Sequence, residues 1–233
     1  MSQTQHRSTS CLSDKRPHHR LRATSPQHRC RQVPQLIIHI AFETVTDRCI
    51  APTPLPPPSA NLTLTQVAIG RGTQNYTCAN STAQAVPVQV GAMASLFNAT
   101  CLAAPYPQLL TVIPGIAVKY PVPTSSDTSS VANVFLSGYH FFVDATTPFF
   151  DLDTSMHQWG TAACKKNNSS PAPDASADVP WLKLVAKSSN GCTIQEVYRL
   201  NTVGGQPPAT CDGQNATINV PYAAEYWFWA TPS

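Results

Sequence analysis

Three apolar segments decide the fold: Trp181-Leu-Lys-Leu-Val-Ala-Lys187, Glu196-Val-Tyr-Arg-Leu-Asn-Thr-Val203 and Tyr222-Ala-Ala-Glu-Tyr-Trp-Phe-Trp229. Each is short and rich in valine, leucine or aromatic residues, a composition typical of β-strands. The glycine pair at 204–205 and the proline pair at 207–208 follow the second segment and predict a turn. Three strands joined locally form a sheet, and we expect earlier strands to cover its apolar face.

The composition of the whole chain favours the same class. Among 233 residues there are 22 prolines and 12% charged side chains, and no long segment carries apolar residues at helical spacing. Turn signals separate strand candidates at residues 62–69, 73–78, 85–90, 116–120, 131–136, 139–143 and 149–152, while 93–102 fits a helix or a strand. Gly70 and Gly72 predict a turn, and 165–177 a long loop. We therefore predict an all-β fold, a single sandwich or closed barrel with long loops.

Composition also divides the chain into parts. Residues 1–50 are basic, and 1–35 are poor in large apolar side chains, which predicts a disordered leader or a non-native start over 1–50. Residues 51–59 form a Pro-rich linker, and 60–231 a single β-domain. The apolar segment 36–42 is too short to span a bilayer and lacks a following Ala-x-Ala cleavage site, so we expect no transmembrane segment and an atypical leader.

Glycosylation triplets Asn-x-Ser/Thr recur through the β-domain, at Asn61, Asn75, Asn80, Asn98, Asn167, Asn168 and Asn215. Together with several cysteines, they predict a secreted, extracellular glycoprotein with disulfide bonds. Residues 51–233 carry seven basic and nine acidic side chains. Because phosphate binding needs a concentrated basic surface, we expect no nucleic-acid partner.

Five segments together carry a resemblance to a known family: Gly70-Arg-Gly-Thr-Gln-Asn-Tyr-Thr-Cys78, Tyr139-His-Phe-Phe-Val-Asp144, Pro180-Trp-Leu-Lys-Leu184, Tyr198-Arg-Leu-Asn-Thr-Val-Gly-Gly to Cys211, and Tyr222-Ala-Ala-Glu-Tyr-Trp227. Over residues 60–230 the chain resembles the secreted fungal and bacterial domain-of-unknown-function family 3455. Fungal members often carry the label "malate dehydrogenase". The resemblance implies a secreted domain and brings no established catalytic residue.

The residues do not favour a dinucleotide site. A Gly-x-Gly-x-x-Gly turn must follow a strand and open a helix. Here Gly70 and Gly72 follow a strand candidate, but Asn75 stands at the third glycine position and a poor helix sequence follows. We therefore predict no cofactor, and no NAD-dependent malate dehydrogenase activity.

Candidates for catalysis are His140 with Asp144, or a carboxylate pair that includes Glu225. These would suit a secreted hydrolase, the alternative function. The structural alternatives are a half-exposed strand position for His140 and the solvent face of an edge strand for Glu225. His140 and His157 lack the spacing of a metal motif, and we predict no metal.

Strand alternation places Glu225, Trp227 and Trp229 on one face of their segment. Facing outward, they would offer indole platforms beside a carboxylate, suited to a cell-wall polysaccharide or another glycan. The alternative is that both faces are covered. Arg199 is predicted to tie its strand to the Gly204-Gly205 turn or to Asp212, with anion recognition as its functional alternative.

Cys78 and Cys211 lie in two of the motif segments and form the first candidate disulfide. The link would close a long loop and contribute about 4–5 kcal/mol in the chain-entropy model. Our leading hypothesis is a non-catalytic secreted or cell-wall-associated protein that binds carbohydrate.

Overall fold

The described residues of the computed structural model, 53–122, 134–155, 157–191 and 193–232, form a closed antiparallel barrel. Its strands are β1 (Thr63–Thr77), β2 (Val88–Asn98), β3 (Leu136–Asp144), β4 (Thr147–Asp153), β5 (Gln158–Ser170), β6 (Trp181–Gly191), β7 (Ile194–Gly204) and β8 (Thr217–Ala230). Each strand pairs with the next, and β8 closes the barrel on β1. Helices α1 (Thr100–Ala103) and α2 (Pro107–Ala117) follow β2. The predicted all-β class is confirmed, with the closed barrel as the form adopted.

Buried side chains form two clusters, because alternate residues of a strand point to opposite sides. One cluster lines the barrel interior; it includes Leu96, Phe150, Leu152, Tyr226 and Phe228. The other lies outside the barrel, where α2 covers β1, β7 and β8; it includes Leu64, Leu110, Tyr198, Trp227 and Trp229. An eight-stranded barrel has an interior that side chains can fill or that can hold one small ligand.

The predicted turn at Gly70 and Gly72 is wrong, because β1 runs through both glycines. A Cβ atom at Gly70 would meet the ring of Tyr226, and one at Gly72 would meet the backbone of Met93. These glycines therefore allow close approach of neighbouring groups inside a strand, rather than a reversal of the chain.

The predicted strand at 116–120 is also wrong, since α2 ends at Ala117 and residues 118–120 form a turn. Pro107 lies in the first helical turn, where its missing N–H is not needed. Leu110 and Pro114, four positions apart, are buried toward the barrel. Residues such as Val112 and Ile116 favour strands locally, and packing against the barrel overrides that preference.

Other element boundaries differ from the sequence prediction. The ambiguous segment 93–102 divides between β2 and α1. Much of the predicted loop 165–177 belongs to β5, whose residues 165–169 are exposed and polar but pair with β6. The predicted strand 131–136 lies largely outside the described residues, and β3 begins at Leu136.

The predicted disulfide between Cys78 and Cys211 is confirmed. It joins the end of β1 to the connection between β7 and β8, across a sequence separation of 133 residues. Cys101 and Cys164 carry free thiols. The leader 1–50 lies outside the described residues. No helix in the described ranges is long and apolar enough to cross a membrane.

Candidate functional site

Arg199 is the central charged group of the barrel interior. It lies on β7 opposite Tyr226 of β8, and only 7% of its surface is exposed. One terminal nitrogen, Nη2, donates a 2.8 Å hydrogen bond to the Pro180 carbonyl. This acceptor precedes β6, so the predicted tie to the Gly204-Gly205 turn or to Asp212 is wrong. The Nε–H is buried and has no hydrogen-bond partner among the described residues.

Two tyrosines of β8 face Arg199. The hydroxyls of Tyr222 and Tyr226 lie 2.9 Å apart, and the Tyr226 hydroxyl also interacts with the Arg199 side chain. Burial raises the pKa of both tyrosines, while the Arg199 charge opposes that rise. Both hydroxyls are therefore protonated at neutral pH, and each can donate one hydrogen bond.

His140 of β3 forms an apolar wall of the same interior. Its ring stacks on Phe150 with a centroid distance of 4.5 Å, and its Nδ1 lies 3.0 Å from the Phe149 carbonyl oxygen. Burial lowers the pKa of His140 to about 4, and the Arg199 charge contributes in the same direction. The imidazole is therefore neutral at physiological pH and adds no second charge to the site.

Gln74 of β1 supplies another buried donor. Its Oε1 accepts a 2.8 Å hydrogen bond from Gln89, whereas its Nε2 has no partner among the described residues. A Cβ atom at Gly205 would lie 2.9 Å from the Gln74 side chain and 3.1 Å from that of Tyr222. The side chain of Gln74 therefore passes close to Gly205, near the Cβ atom of Tyr222.

The interior offers Arg199 no carboxylate. No ion pair in the described ranges includes Arg199, and the buried pair Lys183–Glu196 lies on the outer side of the barrel. Removing a guanidinium from water is unfavourable unless its charge and its donors are compensated. The site therefore presents one positive charge and unused N–H donors, and the side chains around them are neutral and partly aromatic.

Arg71 shows how this barrel satisfies a structural arginine. It is 6% exposed, comparable to Arg199. Its Nε and Nη2 donate to the Tyr120 carbonyl just beyond α2, at 3.1 and 2.8 Å. Its Nη1 donates to the carbonyls of Gly72 and Tyr222, at 2.6 and 3.2 Å. Every nitrogen of Arg71 thus has a backbone acceptor, which is not the case for Arg199.

A family model described as "Protein of unknown function (DUF3455)" matches residues 58–230. The chain belongs to this family. It matches no curated protein and no solved structure. The matched range of this DUF3455 domain extends from the Pro-rich segment to the end of β8, so it includes Arg199 and the side chains around it.

The predicted catalytic residues of the DUF3455 domain lie in three different environments. His140 is inside the barrel. Asp144 is exposed at the turn after β3, where hydrogen bonds from the Thr146 backbone and hydroxyl hold its pKa at about 2. Glu225 is buried on the outer face of β8. The structure therefore assembles no catalytic pair from these residues.

Glu225 is not on the solvent face of an edge strand, because β8 pairs with β1 and β7 on its two sides. Its carboxylate accepts hydrogen bonds from Asn201 Nδ2 at 2.7 Å and from Trp227 Nε1 at 2.9 Å. Burial raises the pKa of Glu225 to about 7. Trp227 and Trp229 are 0% and 4% exposed. Both faces of the strand are thus covered, and the outward indole platform is not formed.

Most predicted glycosylation sites of the DUF3455 domain lie on its surface. Asn61, Asn80, Asn167, Asn168 and Asn215 are exposed, whereas Asn75 and Asn98 are half-buried. No cluster of three or more His, Cys, Asp or Glu side chains suited to a metal ion occurs in the described part of the chain.

Sequence reasoning missed Tyr222 and Tyr226 as neighbours of Arg199. Strand alternation places both tyrosines on the face opposite to that of Glu225, Trp227 and Trp229. The available signal was the presence of Tyr222 and Tyr226 on one face of β8, because a buried tyrosine hydroxyl needs a polar partner.

Proposed function

We propose that this DUF3455 domain is a secreted, non-catalytic binding protein that holds one small carboxylate-bearing molecule inside its barrel, beside Arg199. The buried Arg199 guanidinium, which finds neither a carboxylate nor an acceptor for its Nε–H among the described residues, carries the proposal. A ligand carboxylate would compensate the charge and accept from the guanidinium, as arginine and carboxylate groups do in bidentate pairs.

The neighbouring groups suit such a ligand. One tyrosine hydroxyl donates to the other, so the pair keeps one hydroxyl proton that can donate a further hydrogen bond to a carboxylate oxygen. Phe150 and the neutral ring of His140 form an apolar boundary for the rest of a small molecule. A single positive charge favours a monoanion over a phosphate dianion.

Secretion forms part of the proposal. The Cys78–Cys211 disulfide and the exposed asparagines of the glycosylation triplets support an extracellular location. Glycan binding through Trp227 and Trp229 stays a prediction; it would require α2 to leave the outer face of β8. The hydrolase alternative has less support, because its candidate residues lie apart.

Thermal unfolding with added anions tests the proposal. Wild-type protein, with its disulfide intact, is heated in the presence of formate, acetate, benzoate or phosphate at constant ionic strength. Binding at about 100 times Kd adds about 2.7 kcal/mol of stability, which raises the Tm of a protein of this size by about 5–10 °C. We expect this rise with at least one carboxylate in wild type and its loss in Arg199→Met.

Arg71→Met is the matched control, because it removes a buried arginine whose nitrogens all have backbone acceptors. We expect a lower starting Tm and an unchanged rise with the carboxylate. If Arg199→Met fails to fold, Tyr226→Phe removes one hydroxyl of the site with little change in volume. An equal rise in wild type and Arg199→Met, or no rise with any carboxylate, would contradict the proposal.

A further inference from the structure

Residues 54–59, named here the strap, lie against the outer face of β6 and β7. The carbonyl of Pro56 accepts a 2.7 Å hydrogen bond from the Tyr198 hydroxyl, and that of Pro57 a 2.8 Å bond from Lys183 Nζ. The Ser59 hydroxyl and N–H donate to the two carboxylate oxygens of Glu196, at 2.7 and 3.3 Å. Side chains of the barrel therefore bind the strap through its backbone and its terminal serine.

The ion pair beneath the strap depends on these contacts. Lys183 Nζ lies 3.1 Å from Glu196 Oε2, and both side chains are less than a tenth exposed. A buried ion pair is unfavourable unless its remaining donors and acceptors are also satisfied. The Pro57 carbonyl and the two Ser59 donors supply those partners.

The chemistry of this groove matches a polyproline segment. Proline residues have carbonyl acceptors but no backbone N–H donors. A groove that donates a hydrogen bond to each of two successive proline carbonyls therefore satisfies all the polar backbone groups of those two residues. The first N–H after the prolines, that of Ser59, meets a carboxylate. Leu55 adds an apolar anchor against the outer cluster of α2.

We propose that this groove also binds the strap of a second copy of the chain, so that two copies exchange straps in a reciprocal dimer. The second copy carries the same segment, and exchange reproduces every strap contact. Only the exposed residues Ala60 and Asn61 separate the strap from the buried Leu62, whose N–H donates to the Ser59 carbonyl at 3.0 Å. At low protein concentration the strap binds the groove of its own chain, because the short tether gives the strap an effective concentration of about 1 mM.

Shortening the hinge tests the exchange in the full chain. Deletion of Ala60 and Asn61 prevents the strap from folding back on its own groove. We expect a dimer by size-exclusion chromatography with light scattering. A peptide of residues 53–59, Thr-Pro-Leu-Pro-Pro-Pro-Ser, should convert it to monomers. Tyr198→Phe in the same background removes one hydrogen bond from each of the two grooves and should weaken the dimer about 30-fold. A monomeric deletion variant, or a dimer that the peptide does not dissociate, would overturn the proposal.

A second variant keeps the test valid if the deletion variant does not fold. Leu55→Ala with Ser59→Ala weakens the strap and leaves the hinge intact. Saturable binding of the fluorescently labelled peptide to this variant would support recognition in trans. No binding at a peptide concentration of about 1 mM, the effective concentration of the tether, would overturn it.

Discussion

The side-chain amide of Asn201 donates a 2.7 Å hydrogen bond to the carboxylate of Glu225, which is fully buried on the outer face of β8. Asn201 has a positive φ of 46° at an irregularity of β7, an uncommon conformation for a residue other than glycine. The irregularity of β7 therefore brings a polar partner to a carboxylate that accepts hydrogen bonds from two neutral donors, Asn201 and Trp227.

Glu225 should make stability depend on pH. Burial raises its pKa from 4.5 to about 7, so the folded state binds more protons than the unfolded state between these values. The contribution of Glu225 to folding stability is thus most favourable below pH 4.5, and it is lost as pH rises through about 7. We expect a loss of about 2 kcal/mol between pH 5 and pH 8, measured by urea unfolding.

Glu225→Gln provides the comparison, because glutamine has a similar shape and does not titrate. Its unfolding free energy should change less than that of wild type over the same pH range, whatever its absolute value. The interpretation of Glu225 is wrong if both proteins show the same pH slope.

Gly70 should tolerate no larger side chain. In Gly70→Ala the new Cβ would lie 2.5 Å from Cε2 of Tyr226 and 3.3 Å from Cδ2 of Leu96. We expect a loss of about 1–3 kcal/mol, seen as a lower Tm. Gly115→Ala is the matched control, since nothing lies within 4 Å of its Cβ position in α2. It should be neutral or stabilising by about 0.5–1 kcal/mol, and equal effects at the two sites would contradict this packing.

Stability should fall more when one member of the Lys183–Glu196 ion pair is replaced than when both members are replaced. Lys183→Met leaves the Glu196 carboxylate buried without its cation and should cost about 3–5 kcal/mol. Lys183→Met combined with Glu196→Leu removes both charges and should cost less than the single change. Chemical denaturation of wild type and the two variants measures the difference, and a double variant that is less stable than Lys183→Met would contradict this account.

The free thiols should differ in reactivity. Cys101 is exposed on α1, whereas Cys164 is buried inside the barrel, where burial raises its pKa to about 12. Iodoacetamide at neutral pH should label Cys101 in the folded protein and Cys164 only after denaturation, because the thiolate is the reactive form. Peptide mapping by mass spectrometry distinguishes the sites. Equal labelling rates in the folded protein would contradict the placement of Cys164.

Local signals were sufficient for part of this fold. The alternation and aromatic content of 139–143, 149–152 and 222–229 predicted strands that the structure contains. The Cys78–Cys211 link followed from its position in two motif segments and is present. These features depend on residues near one another in sequence, or on cysteines whose pairing the motifs suggest.

Closure of the barrel depends on long-range pairing that no short segment encodes. Pairing of β1 with β8 brings Ala68 opposite Tyr226, and α2 then packs with Trp227 on the outside of the barrel. The same closure encloses Arg199 with residues of β1, β3 and β8. The site could not be predicted from spacing alone, because its members become neighbours only when the strands close.

The resonance of the Arg199 Nε–H, followed by ¹⁵N-edited NMR during titration with the carboxylate that raises the Tm most, tests the central claim most directly. Arg71 serves as an internal control, since its Nε–H already donates to Tyr120. Our account predicts a saturable change in the Arg199 Nε–H resonance that matches the thermal stabilisation, with Arg71 unchanged. An unmoved Arg199 resonance at saturating carboxylate, or equal movement of both arginines, would contradict it.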